Sequence, residues 1–197
     1  MTDATADDLD RSDMARLGAG QDAALNDLMG RHAERLYHYL LRLLQNETEA
    51  ADLAEEAFVR VYQNRSKFKR TNKFSTWLYT IATNLARDLQ RYRARHLHLS
   101  LEAERGEAEN DLRAILPATD PNPRELVEAA EREAVVRQAV GALPEDLRTP
   151  LVLAAYEEKS HQEIARILAC SPKAVEMRLY RARQLLRSRL ERLLVTP

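Results

Sequence analysis

The stretch KFKRTNKFSTWLYTIATN, residues 67–84, holds the only tryptophan of the chain, two of its three phenylalanines and four positive charges. Flat rings among cations suit an unpaired nucleic-acid strand. Paired bases hide their faces in the duplex, whereas an unpaired base stacked on an aromatic ring gains roughly 1–3 kcal/mol. Nearby cations neutralise the phosphates. Phe68, Lys69, Arg70, Asn72, Lys73 and Phe74 read as a loop, and Ser75, Thr76, Trp77 and Tyr79 as the start of the helix it enters. Asn72, Ser75, Thr76 and Asn84 offer hydrogen bonds to base edges. Phe74, Trp77 and Ile81 also fit core positions, and for Trp77 and Ile81 the core reading is the favoured one. Lys69, Arg70, Asn72 and Lys73 do not, because such residues are rarely buried unpaired.

A second chemistry-bearing segment is SHQEIARILACSPKAVEMRLYRARQLLRSRL, residues 160–190. Ser160 and Glu163 form a capping box for a short helix reaching about Leu168. Ala169, Cys170 and Ser171 make a turn, Ser171 can cap, and Pro172 starts the next helix. Ile164, Ala165 and Leu168 line one helix, and Val175, Leu179, Ala182 and Leu186 line the other. This is helix-turn-helix grammar. The opposite face of the second helix carries Lys173, Glu176, Met177, Tyr180, Arg181 and Gln184, placed to meet base edges in a major groove. Arg178, Arg183 and Arg187 suit phosphates.

The elements that must hold these segments follow from apolar periodicity. Leu25, Leu28, His32, Leu36, Tyr39, Leu40 and Leu43 predict one helix. Asn46 and Glu49 predict a capped second helix with Leu53, Ala54, Ala57, Phe58, Val61 and Tyr62 on its apolar stripe. A third starts near Ser75 or Thr76 and carries Trp77, Leu78, Ile81, Ala82, Leu85 and Leu89. The expected fold is all-α, with two small helical domains over residues 21–95 and 123–197. Residues 1–20 are expected to be a disordered acidic arm. Residues 96–122 read as a flexible acidic linker broken by Pro117 and Pro121. Asn122, Pro123 and Glu125 then open a helix that runs to about Ala142, and another begins near Pro144.

Net charge is −1, but its distribution is uneven. Residues 60–95 hold ten Lys or Arg against one acid, Asp88, residues 100–133 hold ten acids against four Arg, and residues 176–192 hold six Arg against two Glu. Two basic blocks around an acidic middle predict two anion-binding surfaces. The single cysteine, Cys170, leaves no disulfide framework and fits a reducing compartment. The polar first residues are no signal peptide, and no apolar run approaches the roughly 20 residues of a membrane span. No metal is expected, since His96 and His98 lack further ligands at suitable spacing. No phosphate-cradling glycine loop or nucleophile–base cluster points to catalysis, which argues against a DNA-acting enzyme such as a recombinase. No cofactor is expected.

Four segments, in this order, resemble the extracytoplasmic-function (ECF) sigma factors of bacterial RNA polymerase: DLAEEAFVRVYQN, KFKRTNKFSTWLYTIATNLARD, ALPEDLRTPLVLAAYEEKSHQEIA and AVEMRLYRARQLLR. The resemblance spans residues 21–194. It implies a cytoplasmic initiation factor that binds the clamp and flap of core polymerase, melts the minus-ten element with its first domain and reads the minus-thirty-five duplex with its second. It places Asp52, Leu53, Glu55, Glu56, Phe58 and Val59 on the helix that grips the clamp. It puts Asn84 and Asp88 near the melted strand and Ser75 where a flipped base is held. In the second domain it assigns promoter contact to Ser171, Lys173, Ala174, Glu176, Met177, Arg178, Tyr180, Arg181 and Arg183. An anti-sigma factor, often membrane-anchored, is an implied partner; direct membrane insertion is not. The chain departs from the family pattern at Ala174, Glu176 and the loop Thr71-Asn72-Lys73, so the promoter bases are not legible. The rival reading is a helix-turn-helix regulator acting without core polymerase.

Overall fold

The computed structural model describes residues 5–100 and 133–195, and every regular element among them is helical. In chain order these are α1 (Ala6–Gly18), α2 (Ala23–Leu44), α3 (Glu47–Gln63), a 3-10 turn (Arg65–Lys67), α4 (Phe74–Ser100), α5 (133–141), α6 (Glu145–Ala155), α7 (His161–Ile167) and α8 (Pro172–Val195). Residues 96–100, expected to begin the flexible linker, are instead the last residues of α4; the rest of that linker and the helix start at Asn122 lie outside the described residues. Among the described residues no helix is long and apolar enough to cross a membrane.

The first unit is built on α2, whose Leu28, Leu36, Tyr39, Leu40 and Leu43 are buried. The chain leaves α2 through Gln45 in the left-handed region, φ 54°. Asn46 then starts α3 by accepting the Glu49 amide at 3.0 Å. The buried stripe of α3 is mostly small: Ala50, Ala54 and Ala57 let it approach α2 closely, with Phe58 and Val61 filling the remainder. Phe74, Leu78, Ala82 and Ala86 bring α4 onto the same core.

The amino-terminal segment corrects an expectation. Residues 6–18 are a helix, not a disordered arm, with Asp10, Asp13, Met14 and Leu17 buried along one face. The two acids look like solvent residues in sequence, but α2 supplies their partners. Arg31 reaches Asp10 at 3.0 Å and Asp13 at 2.5 Å, and His32 Nε2 lies 2.8 Å from Asp10. Burial by itself raises the Asp10 pKa. The hydrogen bonds from His32 and then Arg31 outweigh it and hold the carboxyl below its usual range.

In the second unit the buried faces of α6, α7 and α8 share Leu147, Leu151, Val152, Leu153, Ile164, Ile167, Val175, Leu179 and Ala182. The two units touch. The Arg42 guanidinium lies 4.2 Å from the Tyr156 ring, and Arg87 meets Glu145 at 3.4 Å. Gly141 packs on the Gln45 side chain so closely that a Cβ there would stand 3.0 Å from it.

Candidate nucleic-acid interface

The helix-turn-helix forms as its caps predict. Ser160 accepts the Glu163 amide, and the Glu163 carboxylate accepts the Ser160 amide at 2.9 Å. Burial raises the Glu163 pKa, but the Ser160 bonds and the Lys73 ammonium outweigh this and hold it at about 2. The Cys170 amide closes the turn on Ala165 O at 2.9 Å, and Ala169 takes the left-handed conformation, φ 50°. Ser171 Oγ accepts the Ala174 amide at 3.1 Å, which caps α8. Burial of Val175, Leu179 and Ala182 fixes the rotation of α8. Ser171, Lys173, Glu176, Met177, Tyr180, Arg181 and Arg183 therefore face solvent, with Ala174 and Arg178 half-buried. Tyr180 is 58 % exposed, and its hydroxyl accepts from Gln184 Nε2 at 2.7 Å. Glu176 pairs with Lys173 at 3.0 Å, so the first turn of the helix is locally neutral. The guanidiniums of Arg181 and Arg183 lead the positive face.

The aromatic-basic segment divides differently. Lys69, Arg70, Asn72 and Lys73 are exposed, and the Asn72 amide closes a turn on Lys69 O at 2.9 Å. The rings sit behind them. Phe74 is wholly buried, with Phe68 at 6.2 Å, Trp77 at 6.4 Å and His32 at 5.2 Å between centroids. Tyr79 and Thr76 are buried too. Direct base contact by Phe74, Thr76 and Tyr79 is thus corrected for this conformation. Phe74 lies on the α4 stripe shared with Leu78 and Ala82, so its ring completes the core.

Trp77 remains half-exposed. It packs on Phe68 at 5.3 Å and turns its remaining surface to a groove of about 220 Å³ between the end of α3 and α4. Trp77, Ile81 and Leu85 form the apolar wall, while Arg60, Asn64, Lys67, Asn84 and Asp88 line the polar rim. Lys67 donates to Asn64 Oδ1 at 2.7 Å, and Asn64 donates to Arg60 O at 2.9 Å. The expected residues Trp77, Asn84 and Asp88 come together here. Arg60, Asn64 and Lys67 were not anticipated. Their signal was the continuation of the polar face of α3 past Val59 into the turn before Phe68.

On α3, Asp52, Glu55 and Val59 are exposed and Leu53 and Glu56 half-exposed, forming one acidic strip with an apolar edge. Val59 is 45 % exposed. Phe58 points into the core, so its expected surface role is corrected: α3 must bury one side against α2, and Phe58 shares that side with Ala54 and Ala57.

Residues 28–96 match the family model described as Sigma-70 region 2, and residues 133–186 match Sigma-70, region 4. The chain is 35 % identical over 171 residues to the ECF RNA polymerase sigma factor SigW of Bacillus subtilis, covering 87 % of this chain and 91 % of that protein. It is 30 % identical over 183 residues to the ECF RNA polymerase sigma-E factor of Escherichia coli, covering 91 % and 93 %. Among solved structures it resembles CnrH, determined in complex with the cytosolic domain of CnrY, with TM-score 0.68, 27 % identity, and 93 % and 98 % of the two chains covered.

Proposed function

The chain belongs to the ECF RNA polymerase sigma factors and directs promoter-specific transcription initiation, and we propose that the two surfaces described above divide that work between unpaired and paired DNA. Residues 21–95 bind core polymerase and open the minus-ten element. The exposed strip Asp52, Glu55, Glu56 and Val59 docks on the polymerase clamp. The loop cations Lys69, Arg70 and Lys73 guide the phosphates of the separated strand. One base enters the groove against Trp77, with Asn84 at its edge. Residues 123–197 read the minus-thirty-five duplex through the exposed face of α8. Arg181 contacts a base there, and Arg178 and Arg183 contact phosphates. The chemistry is binding and strand separation, not catalysis.

The observation that carries this reading is the half-exposed Trp77, braced from behind by Phe68 and bordered by Arg60, Lys67 and Asn84. A ring fixed on one side and open on the other is what stacking on a single unpaired base requires. CnrH was solved in complex with a second protein, the cytosolic domain of CnrY, and this chain is proposed to have a protein partner of its own, the anti-sigma factor that the family resemblance implies, which keeps it near a membrane when the partner is anchored there.

The test is in vitro transcription with core polymerase over a pool of promoter sequences, comparing the parent with Trp77→Ala and Arg181→Ala. Trp77→Ala is expected to select the same upstream element but fail to open it. Arg181→Ala is expected to relax the upstream choice. A chain that cannot bind core polymerase at all would instead act as a free regulator.

A further inference from the structure

The outward side of α8 has an apolar centre. Met177 is 45 % exposed and Tyr180 58 %, whereas Val175, Leu179 and Ala182 are buried. By the helical period Met177, Tyr180 and Gln184 share one stripe, on the side of the helix opposite those three. The polar groups beside the two exposed side chains are engaged with one another. Lys173 donates to Glu176 at 3.0 Å, and Gln184 donates to the Tyr180 hydroxyl at 2.7 Å. Ser171 Oγ is taken up in capping, where it accepts the Ala174 amide. The middle of the face therefore offers a duplex a thioether and the flat of a ring. Base edges in a major groove present hydrogen-bond donors and acceptors, and the apolar group among them is the C5-methyl of thymine.

We propose that Met177 and Tyr180 are specificity-determining residues of the duplex-binding face, and that they select thymine by its methyl group. The unbranched, polarisable chain of Met177 adapts its shape to a methyl. The Tyr180 ring is steadied at its hydroxyl by Gln184, which keeps its face available. The two residues lie one turn apart, roughly 4.5 Å along the helix axis. Stacked bases are about 3.4 Å apart, so the pair fits thymines at one base pair or at two adjacent ones. The charge around the patch favours DNA over an apolar protein surface. Arg181 and Arg183 are exposed beside it, and cations that hold phosphates press the apolar centre against the base edges. A patch two side chains wide is also small for a protein interface. This inference rests on the duplex-reading role given to α8 and names what that face reads.

The experiment uses the full chain and a fluorescent duplex carrying the minus-thirty-five segment of a promoter recovered from the transcription pool. Each thymine in turn is replaced by deoxyuridine, which removes the methyl and keeps every hydrogen-bonding group. At one position or two adjacent ones the parent is expected to bind the uracil duplex about fourfold more weakly, the worth of one buried methyl. Met177→Ala and Tyr180→Ala change exposed side chains, so the fold stays intact, and matching urea unfolding curves verify it. Each variant is expected to bind thymine and uracil duplexes equally at the position its side chain covers. Arg181→Ala, by contrast, should bind more weakly but keep the thymine preference. A parent that binds the fully uracil-substituted duplex as tightly as the thymine duplex overturns the inference. So does a thymine preference that survives in both alanine variants, since the methyl is then sensed elsewhere or through the shape of the duplex. If the parent binds thymine and uracil duplexes but selects none over a scrambled sequence, the duplex-reading role of α8 fails and the methyl readout with it.

Discussion

The helix-turn-helix and the aromatic-basic segment are made from similar side chains, cations interleaved with rings, but they present them in opposite ways. On α8 the ring and the guanidiniums share one exposed face, and Val175, Leu179 and Ala182 are hidden on the other. At the start of α4 the cations are outside and most of the rings are inside. The difference comes from how each segment is held. A single long helix has one rotation, fixed by Val175, Leu179 and Ala182, and every other residue follows from the 3.6-residue period. A loop entering a helix at a junction has no such constraint, and the core takes whichever rings fill it best. Recognition of a duplex therefore uses a preformed helix face. Recognition of an unpaired base relies on one ring, Trp77, left partly uncovered among rings that are buried.

The largest expected effect tests that division directly. Phe74→Ala should cost about 3–5 kcal/mol of stability, as removal of a fully buried ring does, measured by urea unfolding. Phe74→Leu should keep the fold and leave single-strand affinity near that of the parent; a strong loss of binding in a folded Phe74→Leu protein would return Phe74 to the DNA surface. Next, Arg181→Ala should weaken minus-thirty-five duplex binding by about 1–3 kcal/mol if it reads a base, with single-strand binding unaffected. Equal affinity in parent and variant would remove Arg181 from base reading. The combined change Lys69→Gln and Arg70→Gln should lower the salt slope of single-strand binding by about 1.4, at roughly 0.7 for each phosphate no longer neutralised. An unchanged slope would show that these cations point away from the strand.

Two smaller effects sharpen the helix-turn-helix side. Ala169→Gly should add about 0.5–1 kcal/mol, since the turn demands a left-handed residue and alanine is strained there; a thermal melt reads it. Glu163 has a folded pKa of about 2, below its ordinary 4.5. Its stabilising contribution is therefore complete above pH 4.5 and is lost as the pH falls toward 2. Melting temperatures of the parent and Glu163→Gln should differ at pH 7 and converge near pH 2.5. A constant difference across that range would mean that the carboxylate charge contributes nothing to the cap.

Legibility follows the locality of the forces. The capping box of Ser160 and Glu163, the one-sided Asn46 cap, the turn at Ala169 to Ser171 and the start of α6 after Pro144 involve residues within five positions of one another, and each forms where expected. Residues 6–18 read as an arm because the partners of Asp10 and Asp13 lie eighteen to twenty-two residues away, on α2. The stripe of Asp10, Asp13, Met14 and Leu17 carries the helical period, but two acids in it conceal the buried face. Phe58 was legible in its helical phase, which puts it on the apolar stripe with Ala54 and Ala57 where it is buried; only the family resemblance assigned it a surface role. The placing of Glu157 and Lys159 has no local sign at all, since their partners are Arg35, Tyr79 and Ser75 of another unit.

By itself the amino-acid sequence determined the helical class, the capped helix-turn-helix, the outward residues of α8 and the family to which the four segments point, because periodicity, caps and charge act over a single turn of chain. Only the tertiary structure decided which aromatic ring stays open beside the loop, which acids of α1 are buried against α2, and how the second unit rests on the first. Those outcomes depend on competition for a shared core and on ion pairs between distant segments, where burial and electrostatic pairing are set by the surroundings rather than by neighbours in sequence.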